Sequence, residues 1–221
     1  EKETKKDECA ATNEGIQGVG GVNVPTAELL QKVKALCEIN GALLILDEVQ
    51  SGYGRSGKFF AHQHANINPD IITTAKGMGN GFPIAGVLIN PAIEAKMGML
   101  GTTFGGAYLA CAAGIAVLDI IKKEGLIKNS EEVGNYLMQE VKKIDGVKEV
   151  RGQGLMVGIQ LEIPCADLRN ELLHKHKMFT GSSSEKHTLR ILPALNITKA
   201  EIDLFLTAFA ASLKSVKSTI A

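Results

Sequence analysis

The stretch ALLILDEVQSGYGRSGK, from Ala42 to Lys58, decides the fold. Apolar residues Leu43 to Leu46 run straight into Asp47 and Glu48, and glycines follow. A short continuous apolar run closed by turn residues reads as a buried strand. Upstream, AELLQKVKALCEIN (Ala27 to Asn40) repeats its apolar residues near the helical period, with Pro25 and Thr26 as a start signal. Downstream, Asp70 to Thr74 and Ile84 to Ile89 read as further strands. Helix and strand in alternation predict an α/β fold with a largely parallel sheet. Ligands of such sheets gather at the carboxyl ends of the strands. Asp47 therefore arrives at a binding rim. Glu48 points to the other face if the pleat continues, and reads as structural.

The second half differs in character. Ala107 to Lys123 is a long helix, apolar on most faces, and reads as buried or interfacial. NSEEVGNYLMQEVKKI, from Asn129, is amphipathic. Strands VKEVR, LMVGIQLE and TLRILP follow, with helices at Ala166 to Lys177 and Thr198 to Lys217, which predicts a small α+β unit. GSSSEKH, from Gly181, reads as a solvated polar turn, and RGQGLMVGIQLE as scaffold. The boundary is expected near Leu118, dividing the chain into 1–118 and 119–221.

Lys plus Arg equals Asp plus Glu, at 24 each, so nothing electrostatic argues for nucleic acid or an anionic membrane. No apolar run reaches the length of a membrane span. Cys9, Cys37, Cys111 and Cys165 form no CxxC pair and predict a reduced, cytoplasmic protein. Cys111 and Cys165 read as packing residues. The charged start, EKETKKDECA, has no apolar signal core, so export is not expected. His62 and His64, like His174 and His176, sit two apart and diverge on a helix, so no metal is expected.

LLILDE also fits the acidic strand of a P-loop ATPase, and GYGRSGK fits GxxxxGK. That reading fails because Phe59 stands where a hydroxyl must hold the metal, and because the loop follows the acid strand. A better partner for Asp47 lies in TTAKGMGNGFPIAG. Lys76 follows the next strand, ringed by Gly77, Gly79, Gly81 and Gly86, which let backbone approach a ligand closely. An acid and a lysine on one rim suit pyridoxal phosphate. The amine forms a Schiff base with the aldehyde. The carboxylate keeps the pyridine nitrogen protonated, so that the ring accepts electrons when a Cα–H bond breaks.

DEVQSGYGRSG, AKGMGNGFPIAG and GTTFGGAYLACAA, in that order, resemble the class III (subgroup III) pyridoxal-phosphate aminotransferases of fold type I. The acetylornithine and succinylornithine enzymes are the nearest in pattern. The resemblance runs from EGIQGVGG to LRILPALNIT. It implies that residues 1–118 are the latter part of the cofactor-binding large domain and 119–221 the small C-terminal domain. It further implies that Lys76 is the Schiff-base lysine and proton shuttle, that Asp47 pairs with the pyridine nitrogen, and that Gln50 sits near the ring 3-oxygen. Thr103 would reach the phosphate of the partner subunit's cofactor in a homodimer. Arg190 would bind the substrate α-carboxylate as a fork. The implied reaction is transamination of an N-acylornithine with 2-oxoglutarate in arginine metabolism. Ornithine, GABA or diamine donors, and a non-catalytic remnant of the fold, remain as alternatives.

The chain departs from the family at three places. Val19 replaces a glutamate that in ornithine-type relatives pairs with the carboxylate-binding arginine, which favours a donor with its own α-carboxylate. Ala107-Tyr108 stands where Asn-Pro is usual. Asn13 places an amide at an expected core position. A complete member is expected to be about twice as long, its first half carrying the phosphate loop and the aromatic residue that stacks on the ring.

Overall fold

The computed structural model describes residues 9–220, so most of the charged start lies outside the described residues. The chain forms two compact units. Pro25–Tyr53 and Phe60–Gly125, with the chain before Ile16, make up the first. Ile16–Val24, Gly54–Phe59 and the chain from Leu126 make up the second. The division falls at Gly125 and not at Leu118. The helix expected to contain the boundary is continuous, and Gly125, at φ +63°, supplies the left-handed residue that ends it.

The first unit runs β1 (Ala10–Glu14), α1 (Ala27–Ile39), β2 (Leu43–Asp47), β3 (Ile71–Thr74), β4 (Gly86–Ile89) and α2 (Tyr108–Lys123). The strands lie in chain order; β1, β2 and β3 are parallel and β4 is antiparallel to β3. Thr26 caps α1, its hydroxyl accepting the Leu29 N–H at 3.2 Å, a bond worth about 1 kcal/mol. Leu30 and Cys37 of α1 pack with Leu44 and Leu46 of β2. The opposite side of β2, with Leu43, Ile45 and Asp47, is only half-buried. The apolar run is therefore a strand with one closed face. Asp70 fastens the edge of this layer, accepting the Leu44 N–H at 2.8 Å and the Lys34 ammonium at 2.9 and 3.0 Å. Asn13 is half-buried on β1.

On α2 only Ala110, Gly114 and Ile121 are buried, while Tyr108, Leu109, Ile115, Leu118 and Ile120 are exposed. Within this chain α2 is not a buried helix. Cys111 on it is exposed and does not serve as a packing residue here.

The second unit runs α3 (Leu126–Val141), β5 (Val147–Gln153), β6 (Met156–Leu161), α4 (Cys165–His176), β7 (Gly181–Ser182), β8 (Thr188–Ile191) and α5 (Lys199–Ile220). Its sheet is antiparallel in the order β5-β6-β8-β7. One face sends Val157, Ile159, Leu161, Leu189 and Ile191 into a core shared with Leu137, Leu168, Leu172 and Phe209. Cys165 joins this core, and burial pushes its thiol up to about 12, which makes it a packing residue. A Cβ on Gly134 would lie 2.0 Å from the Gly154 carbonyl oxygen, so α3 rests directly on the β5–β6 turn. Gly181–Ser182, expected as a solvated turn, forms an edge strand on β8. Its serines carry no period, and the pairing comes from the neighbouring ladder. No helix of the described residues is long and apolar enough to cross a membrane.

Candidate active site

Parallel pairing brings the ends of β1, β2 and β3 to one rim. Glu14 is in register with Asp47, and Asp47 with Thr73. The chain leaves β3 at Thr74 and reaches Lys76 two residues past that strand end. Lys76 opens a single turn of 3-10 helix and is exposed. Its backbone has φ +42°, a left-handed conformation that a non-glycine residue adopts at a cost of order 1–3 kcal/mol. Gly79 closes the turn in close contact with the chain that follows: a Cβ there would lie 2.2 Å from the Phe82 carbonyl oxygen. Val22, Tyr53, Asn66, Asn80 and Lys177 share this left-handed region, and Lys76 is the one among them that directly follows β3.

Asp47 is half-buried, and its Oδ1 accepts the Val49 N–H at 2.8 Å. That turn-forming bond fixes the carboxylate at the strand end. Glu48 behaves differently. It is buried and fully engaged: Oε2 accepts from Ser51 Oγ at 2.5 Å and Ala61 N–H at 2.9 Å. Oε1 accepts from the His62 N–H at 2.9 Å and lies 3.1 Å from His62 Nδ1. Burial alone would push this carboxyl up, but the bonds from His62, Ser51 and the two N–H groups outweigh it and hold it below the ordinary value. Glu48 thus anchors the turn that follows Asp47. The structural role read for it holds, but its partners Ser51 and His62 carried no periodic signal in the sequence. Tyr53, buried at φ +57°, adds a hydrogen bond to Thr74 at the end of β3.

Gln50 lies half-buried in the turn after Asp47. Thr103 is exposed in the loop before α2 and hydrogen-bonds to neither Asp47 nor Lys76. Arg190 belongs to the second unit. There the polar face of the sheet carries a row across four strands, Arg151, Gly158, Arg190 and Gly181. Residues directly opposite share a face, so Arg190 has a glycine on each side. The 16–24 segment lies over the Arg151 end. Arg151 donates to the Gly21 carbonyl at 2.9 Å, and a Cβ on Gly158 would lie 2.7 Å from that oxygen. Arg190 Nε donates to the Ser182 carbonyl, and the Ser184 N–H donates to the Val19 carbonyl at 2.9 Å. One short edge segment, 182–184, therefore holds both Arg190 and Val19. Val19 itself is 60% exposed.

The family of class-III aminotransferases matches residues 1–213. The chain is 46% identical over 204 residues to an acetylornithine aminotransferase of Nitrosomonas europaea, covering 90% of this chain and 51% of that protein. It is 39% identical over 204 residues to one from Methanosarcina mazei, covering 91% and 51%. The chain thus spans about half the length of the curated relatives it matches. Among solved structures it is similar to an ornithine aminotransferase of Plasmodium yoelii, with TM-score 0.85 and 33% identity, covering 93% of this chain and 57% of that one. It is similar also to a transaminase from a marine Virgibacillus, with TM-score 0.89 and 26% identity, covering 96% and 54%. These likenesses carry the α/β, fold-type-I architecture expected from the sequence.

Proposed function

Because the chain belongs to the class-III aminotransferases, we propose that it carries the lysine-bearing part of a pyridoxal-phosphate-dependent enzyme. The reaction is transfer of the amino group of an N-acylornithine to 2-oxoglutarate. The observation that carries this reading is the shared rim of β2 and β3, which presents Asp47 and a strained, exposed Lys76. The donor set fits the cofactor: one amine for its aldehyde and one carboxylate for its ring nitrogen. When bound, pyridoxal phosphate supplies a carbon that accepts amino groups and a ring that accepts the electrons of a broken Cα–H bond.

Lys76 Nζ would hold the cofactor through its aldehyde carbon, and as a free amine it would move a proton from the donor carbon to that carbon. Asp47 would hold the proton on the ring nitrogen through the oxygen that the Val49 N–H leaves available. Gln50 would sit near the ring 3-oxygen. Arg190 would take the α-carboxylate of donor and oxo acid as a fork. Likeness to curated acetylornithine aminotransferases and the apolar Val19 support an N-acylated donor, used in arginine metabolism. A homodimer, with Thr103 reaching the partner's cofactor phosphate, is supported by the exposed apolar residues of α2. Four unpaired cysteines agree with a cytoplasmic protein.

The test is covalent trapping. Purified protein is mixed with pyridoxal phosphate, reduced with borohydride and mapped by peptide mass spectrometry. Label selective for Lys76 is the expected result. Label spread over the surface lysines would overturn the reading for this chain.

A further inference from the structure

Arg190 sits on β8 beside an edge strand of only two residues, Gly181–Ser182. So short a strand has little pairing of its own to hold it in place. Its Ser182 carbonyl nonetheless fixes Arg190 Nε. Beyond it the segment is tied by Ser183, whose Oγ donates to the Thr188 carbonyl at 3.0 Å, and by Ser184; before it, a different anchor is needed. The residue before it is Thr180, which is buried, and its carbonyl accepts two donors from Arg169 on α4, Nε at 3.4 Å and Nη2 at 3.2 Å. Gly181, between the two anchored carbonyls, has no spare room. A Cβ there would lie 3.2 Å from the Arg190 carbonyl oxygen and 3.3 Å from Arg190 Cβ. Any drift of the strand toward β8 would therefore press on Arg190.

We propose that Arg169 is a positioning residue for the carboxylate fork, holding Thr180 so that Ser182 aims the Arg190 guanidinium. The inference rests on the reading of Arg190 as the substrate-carboxylate site. Arg169 also acts by charge. Burial first, and then the positive charge of Arg169, lower the pKa of Arg190. No carboxylate among the described residues forms an ion pair with Arg169. A bound carboxylate relieves the repulsion between the two cations, so the pair favours an anionic ligand over an empty site. A dianionic oxo acid gains more from this than a zwitterionic amino acid.

The experiment compares wild type, R169Q, R169K, G181A and R190Q in steady-state transamination with N-acetylornithine and 2-oxoglutarate. Binding of glutarate, an inert dicarboxylate, is measured in parallel by calorimetry. R169Q is expected to raise KM for 2-oxoglutarate about tenfold, the size of one misaligned charge-assisted contact, with kcat within about threefold and glutarate binding weakened to match. R169K, which keeps the charge and one donor, is expected to recover most of the loss. G181A, which pushes the strand from the other side, is expected to raise KM in the same way, and it decides the matter if R169Q fails to fold. If R190Q raises KM while R169Q and G181A leave KM and glutarate binding unchanged, the positioning role is overturned. If R190Q itself changes neither, the carboxylate reading of Arg190 fails, and this inference fails with it.

Discussion

Lys76 combines an exposed side chain with a left-handed backbone just past the end of β3. Lys76→Ala is expected to lower turnover by about 10²–10⁴-fold or more, the contribution of a positioned proton-transfer group. Stopped-flow or steady-state assay of the active protein measures it, and retained turnover would remove Lys76 from the mechanism. Val19 makes a second prediction at this scale. Its carbonyl is tied to Ser184, two residues along from the carbonyl that holds Arg190. Val19→Glu tests whether a carboxylate at this position reaches the Arg190 fork. The expected outcome is a shift toward donors that lack a free α-carboxylate. An unchanged donor profile would place residue 19 out of reach of Arg190.

Among elements, β2 is the one whose two ends do different work. Its start is fastened by Asp70 and its finish by Glu48. Glu48→Gln removes the charge from a buried carboxylate that accepts four hydrogen bonds. One or more of those donors is then left facing an amide N–H, at a cost of about 1–3 kcal/mol. Urea unfolding should show this loss as a lower midpoint. The loss should also depend on pH. The folded-state pKa of Glu48 is depressed, so its charge stabilises the fold fully above the ordinary carboxylate value of about 4.3. That advantage fades as pH falls through the folded value. The stability gap between wild type and E48Q should accordingly be widest near neutrality and narrow below about pH 4. A gap independent of pH would mean the charge itself contributes nothing.

For the whole molecule, the telling feature is apolar surface. Ile115 is 61% exposed and Leu109 75%, on a helix whose composition is that of a core. Exposed patches of this kind mark contact surfaces. If α2 contributes to a homodimer, Ile115→Glu should move the protein from dimer toward monomer by at least about tenfold in dissociation constant, the effect of burying an unpaired charge. Sedimentation across a concentration series reads this directly, and an unchanged association constant would exclude Ile115 from the interface.

Much of this was legible in the residues. α1 carried a capped 3.6 period and β2 a closed apolar run, so both helix and strand followed from local physics. The arrival of Asp47 and the end of β3 at one rim followed too, because parallel strands bring their carboxyl ends together whatever their side chains. Other features required the folded chain. Residues 16–24 and 54–59 are loops without periodicity, and only packing assigns them to the second unit. Ser51 and His62 became the partners of Glu48 because a turn returned the chain to it, and burial forbids an unsatisfied carboxylate. Arg169 stands eleven residues before Thr180 on a different element, and no spacing rule connects them. Sequence determined which groups are present and which elements form, since those depend on neighbours along the chain. Tertiary structure alone decided which groups are held and by what, since that depends on neighbours across it.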